Sequence, residues 1–364
     1  MKKLGLYIHI PFCIKKCNYC DFPSQKGTLQ EQKTYVTNLL RKLDTYREMA
    51  KDYQVDTIFI GGGTPSILEP GEIKRLMEKV YSIFSVEADA EISIEMNPGT
   101  ATKEKVGEYK QAGINRLSIG LQSAKDEELK ILGRIHTFED FLRSYEMVRN
   151  EGFSNVNVDL MFGIPKQTSD SFVSTLKKTA ALNPEHLSVY SLIIEEGTPF
   201  FQWYQQKEMV LPDEEEERQM YKGAQEILWN YGYNRYEISN YAKNGYECRH
   251  NLKYWNMDEY LGIGRSAASF LDKERFVENE KREVLTRESL MEEFMFLGLR
   301  KMEGIREMDF QKRFAQNVDE IYQNELLKLV DNKLLMREEG RIFLTERGID
   351  ISNYVMQHFI FDKE

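Results

Sequence analysis

The stretch LYIHIPFCIKKCNYCDF, Leu6 to Phe22, places an apolar run directly before three closely spaced cysteines. The chain of 364 residues has four cysteines, and three of them lie here: Cys13, Cys17 and Cys20. An odd number of clustered cysteines in a long chain argues against a disulfide framework, which is typical of small secreted proteins. The apolar run is interrupted by a histidine and a proline, and no signal-peptide cleavage site follows it. The stretch therefore predicts a buried strand followed by a metal site in a reducing compartment.

The kind of metal site follows from the number of ligands. Three thiolates suit a [4Fe–4S] cluster in which one iron has no protein ligand, and the C-x3-C-x2-C spacing of soft ligands favours this interpretation. Structural zinc is the alternative, but zinc needs four ligands, and His9 is the nearest candidate for the fourth. An iron without a protein ligand can bind a small molecule, so the predicted cluster is reactive.

Strand and helix patterns alternate through the first half of the chain. Apolar, β-branched segments recur as LGLYIHI, TIFIGGG, EISIEMN, INRLSIG, NVNVDLMFGIP and HLSVYSLII, and helical periodicity fills most of the intervals. Such alternation predicts βαβ units and a parallel sheet. Six units form either an incomplete (βα)6 barrel or a doubly wound sheet. In both α/β folds ligands bind at the carboxyl ends of the strands, where the cysteines are expected.

The sequence predicts three parts: a barrel over residues 1–205, a connecting region over residues 206–285 and a C-terminal domain over residues 286–364. In the last part we expect a first helix that ends at Gly304, two short helices and a hairpin that turns at Glu339-Gly340. A closing helix completes a mainly helical, winged-helix-like domain. We expect this domain to form a lid or docking surface over the barrel mouth.

Charge and hydropathy limit the classes of partner. The chain has 49 basic and 59 acidic residues and a net charge of −10, so we expect no nucleic-acid partner, although winged helices often bind DNA. No apolar run approaches the ~18–20 residues that span a bilayer. We therefore expect a cytoplasmic protein and not an integral membrane protein.

The cysteine motif, with Tyr19 before its last member, resembles that of the radical S-adenosylmethionine (SAM) superfamily. The resemblance implies that the open iron binds the amino and carboxylate groups of SAM. An electron from the cluster could then split the sulfonium and release a 5′-deoxyadenosyl radical. It also implies an incomplete (βα)6 barrel and a cofactor-binding role for nine residues: Tyr7, Tyr19, Gly62, Gly63, Thr64, Glu95, Gln122, Arg134 and Asp159.

Several of these residues also have a chemical reason to bind SAM. The glycines after the second strand permit unusual φ values and close approach of the backbone to a ligand. The Glu95 carboxylate can accept hydrogen bonds from ribose hydroxyls, and Arg134 can pair with a carboxylate through two hydrogen bonds. Taken alone, each of these residues is more often a structural polar residue than a ligand-binding one. Their joint placement at successive strand ends favours the binding interpretation.

The segments LYIHIPFC, GGGTP, GLQS and DLMFGIP resemble oxygen-independent coproporphyrinogen III dehydrogenase and its relatives, over residues 4 to about 200. This resemblance implies the oxidative decarboxylation of two porphyrinogen propionates by the radical. The enzyme has a further cysteine two residues after its third cluster ligand, whereas this chain has Phe22 there. That departure puts the decarboxylation in doubt.

The segment HNLKYW, residues 250–255, matches the H-N-x-x-Y-W motif and resembles the HemW-type haem chaperones, which are relatives of the dehydrogenase. An exposed, neutral His250 imidazole is a common kind of axial ligand to haem iron. Nearby aromatic rings offer flat apolar faces, and Arg249 and Arg265 could meet the propionates. The alternative is a histidine packed among aromatic side chains. Cys248 is either a buried small side chain or a second candidate ligand.

The resemblance thus implies a haem chaperone with three cofactors: a [4Fe–4S] cluster, SAM and haem. It would transfer haem to acceptor haemoproteins, with membrane-bound respiratory ones among the candidates. The first alternative is the porphyrinogen dehydrogenase itself, and the second is a radical enzyme that acts on another substrate. The sequence leaves open whether SAM is cleaved.

Overall fold

The computed structural model describes residues 1–278 and 280–361. The six expected strands are present and run parallel in sequential order: β1 Lys2–Ile10, β2 Tyr53–Gly62, β3 Ser85–Met96, β4 Arg116–Gln122, β5 Val156–Phe162 and β6 His186–Ser191. The helices of the intervals are α1 Leu29–Asp44, α2 Glu72–Ile83, α3 Lys103–Gln111, α4 Asp126–Ile131, α5 Phe138–Asn150 and α6 Ser169–Ala181. The expected alternation of strands and helices is confirmed.

Strand β1 shows why the sheet has one apolar and one polar face. Successive side chains of a strand point to opposite faces. After the exposed Lys2, its even-numbered residues are fully buried aliphatic side chains that belong to the main core: Leu4, Leu6, Ile8 and Ile10. Tyr7 and His9 alternate with them and lie on the other face, where they hydrogen bond to each other. Polar side chains from several strands therefore share the inner face of the sheet.

The helices begin at capping residues that the sequence supplies. Thr28 caps α1 and forms a capping box with Glu31, and Thr137 forms the same arrangement with Asp140 at the start of α5. Each threonine oxygen accepts a hydrogen bond from a free backbone N–H of the first turn. These caps determine where the crossover helices start and so how the strands are spaced along the chain.

The region after β6 extends the same sheet at both edges. Its elements are α7 Pro199–Gln205, α8 Glu214–Asn230, β7 Asn234–Glu237, β8 Asn240–Ala242, α9 Arg249–Trp255, β9 Tyr260–Ile263, β10 Ala268–Leu271, β11 Glu274–Val277 and β12 Glu283–Val284. The sheet has twelve strands in the order β12-β11-β10-β9-β1-β2-β3-β4-β5-β6-β8-β7. Residues 206–285 thus add strands to the barrel, and the division into three parts stays a prediction.

The C-terminal region contains α10 Arg287–Gly298, β13 Ile305–Arg306, α11 Glu307–Phe314, α12 Val318–Asp331, β14 Leu335–Glu338, β15 Arg341–Leu344, α13 Glu346–Asp350 and α14 Ser352–Gln357. Three of its strands form a small antiparallel sheet in the order β13-β15-β14. The expected hairpin is present, with positive φ at both Glu339 and Gly340, as a type I′ turn requires. The first helix ends at Gly298, before the expected Gly304, which instead has a positive φ next to β13.

The position of the C-terminal domain differs from our expectation. Its core includes Met257 and Phe270, which come from the barrel region. Arg313 of α11 donates hydrogen bonds to the carbonyl oxygens of Asn256 and Met257. These contacts place the domain beside the amino ends of β1 and β2. A lid over the carboxyl ends of the strands is therefore wrong, because the apolar residues that attract the domain lie at the opposite end of the barrel.

A helix that crosses a bilayer must be long and apolar along most of its length. Within residues 1–278 and 280–361, no helix combines the length and the apolar character needed to cross a bilayer.

Candidate functional site

The three clustered cysteines lie in the loop after β1. Backbone hydrogen bonds anchor this loop to two other segments of the chain. The N–H of Cys13 donates to the carbonyl oxygen of Gln25 at 2.9 Å, and the N–H of Asn18 donates to that of Leu132 at 2.9 Å. The Sγ of Cys13 lies 3.5 Å from the Oγ1 of Thr64. The loop therefore holds its thiols beside the carboxyl ends of the strands, as the parallel sheet predicts.

The donor set fits an iron–sulfur cluster better than zinc. The three cluster cysteines are partly exposed and line one cavity. Burial raises the pKa of the Cys20 thiol to about 11, so a bound metal is needed to hold it as a thiolate at neutral pH. His9 is not free as a fourth zinc ligand, because its Nδ1 contacts the Tyr7 hydroxyl and its Nε2 contacts the Pro23 carbonyl oxygen. Three thiolates, with His9 engaged elsewhere, match a cluster with one open iron.

The cavity beside the thiols brings together eight of the nine residues that were expected to bind SAM. Tyr19, Gly62, Gly63, Thr64, Glu95, Gln122, Arg134 and Asp159 all line it. Tyr7 does not line the cavity, and its hydroxyl contacts His9. Because the lining residues come from β2 to β5 and from the cysteine loop, the sheet must curve around the cavity. The SAM-binding roles of these residues stay predictions.

The glycines at the end of β2 have a structural reason that the sequence did not show. A Cβ atom on Gly62 would lie 2.4 Å from the His9 ring, and this glycine has a φ of +112°. A Cβ on Gly63 would lie 2.6 Å from the carbonyl oxygen of Phe12. The glycines therefore let the cysteine loop approach β2 closely. This close packing supports the cavity wall whether or not a ligand is present.

Two partly buried carboxyl groups face the cavity. The Oε2 of Glu95 accepts a hydrogen bond from the N–H of Gly62 at 3.0 Å. Burial, with a smaller effect from the charge of Asp159, raises the pKa of Glu95 to about 8. Burial also raises the pKa of Asp159, which accepts hydrogen bonds from Ser118 and Asn157. Glu95 therefore carries a proton at neutral pH and can donate or accept a hydrogen bond towards a ligand.

Replacing Glu95 by glutamine is expected to stabilise the metal-free protein increasingly as the pH rises. Between the ordinary pKa of 4.5 and the raised value of about 8, folded wild type binds more protons than the unfolded chain. Its free energy of unfolding therefore falls across this window, whereas the neutral glutamine has no such term. Full linkage over these three pH units would be about 4 kcal/mol at ~1.4 kcal/mol per unit. Because the side chain is only partly buried, solvent screening reduces the expected difference to about 1–2 kcal/mol at pH 8, from near zero at pH 5. Urea denaturation at both pH values measures it.

The exposed Glu226→Gln substitution in α8 is the matched control, and it should change stability equally at pH 5 and pH 8. A Glu95→Gln stability difference that does not change with pH would show that Glu95 is ionised throughout.

The Arg134 guanidinium contacts protein groups around the cavity, whereas we expected it to pair with a carboxylate. Its Nη2 donates to the Oδ1 of Asn97 and to the carbonyl oxygen of Gly120, and its Nη1 lies 3.6 Å from the Sγ of Cys17. Its Nε is buried and has no hydrogen-bond partner among residues 1–278 and 280–361. The guanidinium thus joins the cysteine loop to the ends of β3 and β4. Asn97 was missed, although it lies two positions after Glu95 and so on the same side of the chain.

The HNLKYW segment forms the short helix α9, which packs near the amino ends of β1 and β2. His250 is 1% exposed. Its Nδ1 contacts the Thr57 hydroxyl at 2.8 Å, and its Nε2 contacts the Tyr254 hydroxyl at 2.9 Å. Burial lowers the pKa of His250 to about 3, so the ring is neutral. The expectation of an exposed imidazole is wrong in this structure, because both ring nitrogens bind protein hydroxyls.

The neighbours of His250 also differ from the expected arrangement. Arg249 donates to the carbonyl oxygen of Asp89, whereas Arg265 donates to Gln25 beside the cysteine loop. The two arginines lie at opposite ends of the barrel and cannot meet the propionates of one haem. Cys248 is 1% exposed, and burial raises its pKa to about 12. Its environment is that of a small buried side chain.

Glu91 is the residue that positions α9, and the sequence analysis missed it. This carboxylate is 6% exposed. It accepts hydrogen bonds from the N–H groups of Arg249 and His250, both at 3.1 Å, and its Oε1 lies 3.6 Å from the Sγ of Cys248. Negative charge at a helix N-terminus is favourable, and here it satisfies free N–H groups. A glutamate at the start of EISIEMN was the available signal.

Comparisons with known proteins identify the family. Residues 7–179 match the family model of the radical SAM superfamily, and residues 285–351 match that of the HemN C-terminal domain. The chain is 36% identical to the heme chaperone HemW of Bacillus subtilis (strain 168), over 97% of this chain and 98% of the relative. It is 34% identical to that of Lactococcus lactis subsp. lactis (strain IL1403), over 99% and 98%. The chain belongs to the HemW family.

Other comparisons agree with this membership. The HemW of Escherichia coli (strain K12) is 43% identical over 72% of this chain and 69% of the relative. The solved structure of the E. coli coproporphyrinogen III oxidase HemN, described as a radical SAM enzyme, has a TM-score of 0.86. It is 24% identical and covers 98% of this chain and 90% of HemN, so it shows the fold alone. The predicted α/β radical SAM fold is confirmed, and it implies a [4Fe–4S] cluster and SAM as cofactors of this HemW-family chain.

Proposed function

We propose that this protein is a haem chaperone that binds haem and passes it to acceptor haemoproteins. The observation that carries the proposal is the match over nearly the whole length of both chains to relatives named heme chaperone HemW. The HNLKYW segment and the presence of Phe22 support this reading over porphyrinogen decarboxylation. The proposed acceptors include membrane-bound respiratory haemoproteins. Four free cysteines are consistent with a cytoplasmic location.

The proposed cofactor site uses the loop after β1 and the cavity beside it. Cys13, Cys17 and Cys20 would hold three irons of the cluster, and SAM would occupy the cavity wall that contains Glu95 and the Gly62–Thr64 turn. When bound, the cluster and SAM supply one-electron cleavage of the sulfonium. Arg134 keeps the cysteine loop in contact with the strand ends. Glu95 keeps a proton at neutral pH and offers its second oxygen to a ligand hydroxyl.

We also propose that His250 is an axial ligand of the haem iron. This ligation requires a change in the contacts of the His250 ring. Coordination needs a free ring nitrogen, and each nitrogen now contacts a hydroxyl group. The contact with Tyr254 or the contact with Thr57 must therefore break before His250 binds iron. Thr57→Val removes one of these contacts and leaves the ring. If His250 is the ligand, this variant should keep haem binding, whereas His250→Ala should lose it.

A haemin titration of the full-length protein tests the proposed function. We expect a stoichiometric change in the Soret absorption on addition of haemin and no turnover of coproporphyrinogen III in the presence of SAM and a reductant. The same preparation with a reconstituted cluster serves for both assays. Turnover of coproporphyrinogen III without haemin binding would overturn the chaperone proposal and favour the dehydrogenase.

A further inference from the structure

We infer that Asn97 is a positioning residue that directs hydrogen bonds onto two of the cluster thiolates and thereby raises the reduction potential of the cluster; this inference rests on the proposed cluster site. Asn97 directly follows β3 and lines the cavity beside the thiols, as do Thr64 and Arg134. Thr64 is buried, and the other two side chains are partly buried. These three side chains form one chain of hydrogen bonds with a cysteine at each end.

The hydrogen-bond chain links Cys17 to Cys13. The Nη1 of Arg134 donates to the Sγ of Cys17 at 3.6 Å, and its Nη2 donates to the Oδ1 of Asn97 at 2.5 Å. The Nδ2 of Asn97 donates to the Oγ1 of Thr64 at 2.8 Å, and this oxygen lies 3.5 Å from the Sγ of Cys13. Three side chains from outside the cysteine loop therefore connect two of the three cluster thiols.

The chemistry of the groups fixes the direction of these hydrogen bonds. A guanidinium has donors only, so the carbonyl oxygen of the Asn97 amide faces Arg134 and its NH2 group faces Thr64. The Thr64 oxygen accepts this bond and keeps its single proton for another acceptor. Because a thiolate bound to iron has no proton, Thr64 is the donor in its contact with Cys13. Asn97 thus orients the Thr64 hydroxyl towards the sulfur.

The fold makes room for this network and holds its two ends. A Cβ atom on Gly120 of β4 would lie 2.9 Å from the Oδ1 of Asn97 and 3.1 Å from the Nη2 of Arg134. The same Nη2 donates to the carbonyl oxygen of Gly120. At the other end, the N–H of Thr64 donates to the carbonyl oxygen of Phe12 at 2.7 Å. Backbone contacts on both sides therefore hold the three side chains beside the thiols.

The two donors that face the sulfurs favour the reduced cluster. Reduction adds one negative charge, and hydrogen bonds to the sulfurs are among the features that set the potential of an iron–sulfur cluster. The Thr64 hydroxyl and the positively charged Arg134 guanidinium stabilise the more negative form. Asn97 contacts both donors and so acts on the cluster through them.

Asn97→Leu tests this role with a neutral side chain of similar size. Leucine neither orients the Thr64 hydroxyl nor accepts from Arg134, so both donors lose their fixed direction. We expect the ratio of oxidised to reduced cluster at the wild-type midpoint potential to rise about tenfold, which is a shift of about 59 mV to lower potential for a one-electron couple. Potentiometric titration of the reconstituted full-length protein without SAM, followed by electron paramagnetic resonance, measures the shift.

Two substitutions of Thr64 test the same path. Thr64→Val removes the hydroxyl at similar size and should also lower the potential, whereas Thr64→Ser keeps the hydroxyl and should keep the wild-type potential. The shifts of Asn97→Leu and Thr64→Val should not add in the double variant, because Asn97 acts partly through Thr64. Thr179→Val is the matched control, since this hydroxyl is buried in α6 and donates to the carbonyl oxygen of Thr175. It should leave the potential unchanged.

Wild-type potentials in Asn97→Leu and Thr64→Val would overturn the inference and leave the cluster site and the chaperone proposal intact. An equal shift in Thr179→Val would also overturn it, since the loss of any buried hydroxyl would then be enough. If Asn97→Leu does not retain about four irons per chain, the comparison of Thr64→Val with Thr64→Ser decides, and equal potentials in these two variants would overturn the inference. Wild type without a cluster would overturn the ligand assignment, whereas failure to bind haemin would overturn only the chaperone proposal.

Discussion

Glu91→Ala is expected to lower the free energy of unfolding by about 3–5 kcal/mol. The substitution removes the acceptor for the N–H groups of Arg249 and His250 and leaves both without a partner inside the protein. It also removes the negative charge closest to the start of α9, near the buried guanidinium of Arg116. Uncompensated buried charge and unsatisfied donors both destabilise the folded state. Urea denaturation followed by circular dichroism measures the change.

Two further variants define the cause of this loss. Glu91→Gln keeps the shape and one oxygen acceptor, so we expect roughly half of the alanine effect. Glu127→Ala removes an exposed glutamate from the first turn of α4, and its effect should stay within about 0.5 kcal/mol. If Glu91→Ala and Glu127→Ala were equally mild, Glu91 would not be the group that holds α9 against the barrel.

Cys17→Ala is expected to abolish the cluster, with iron and sulfide falling from about four of each per chain to near zero after anaerobic reconstitution. Two thiolates would leave two irons without protein ligands, and the contact of Cys17 with Arg134 would be lost as well. The sulfur-to-iron charge-transfer absorption should disappear with the iron. Iron and sulfide analysis together with the visible spectrum measure the loss.

Cys248→Ala is the matched cysteine control. This residue is buried beside Glu91, far along the chain from the cluster loop, and its removal should leave the iron content and the visible spectrum unchanged. Equal loss of iron in both variants would contradict the assignment of the ligands. Stoichiometric zinc without charge-transfer absorption in wild type would favour the zinc alternative.

The architecture was predictable where local patterns and parallel pairing act together. Apolar segments such as LGLYIHI and NVNVDLMFGIP became β1 and β5 in the expected order. The turn at Glu339-Gly340 was predictable because few residue pairs tolerate two positive φ angles. The addition of β7–β12 to the same sheet was not predictable, since these strands are short and join it only where β9 pairs with β1 and β8 pairs with β6, over long sequence distances.

The candidate cofactor site was largely predictable, and the haem region was not. Strand-end residues such as Glu95 and Gln122 converge because parallel strands end at one edge of the sheet. The HNLKYW motif identified a segment but did not reveal burial of His250, because burial depends on Thr57 and Phe59 of a distant strand. Arg249 and Arg265 are close in sequence, yet α9 and β9 carry them to opposite ends of the barrel.

The sequence by itself determined the order of the strands, the three soft ligands and the polar groups around them. Short-range periodicity and fixed spacing are enough to predict these features. Which histidine nitrogens are free, which carboxylate caps α9 and at which end of the barrel the C-terminal domain packs were decided only by the tertiary structure. Those features depend on contacts between segments far apart along the chain, and no local pattern records such contacts.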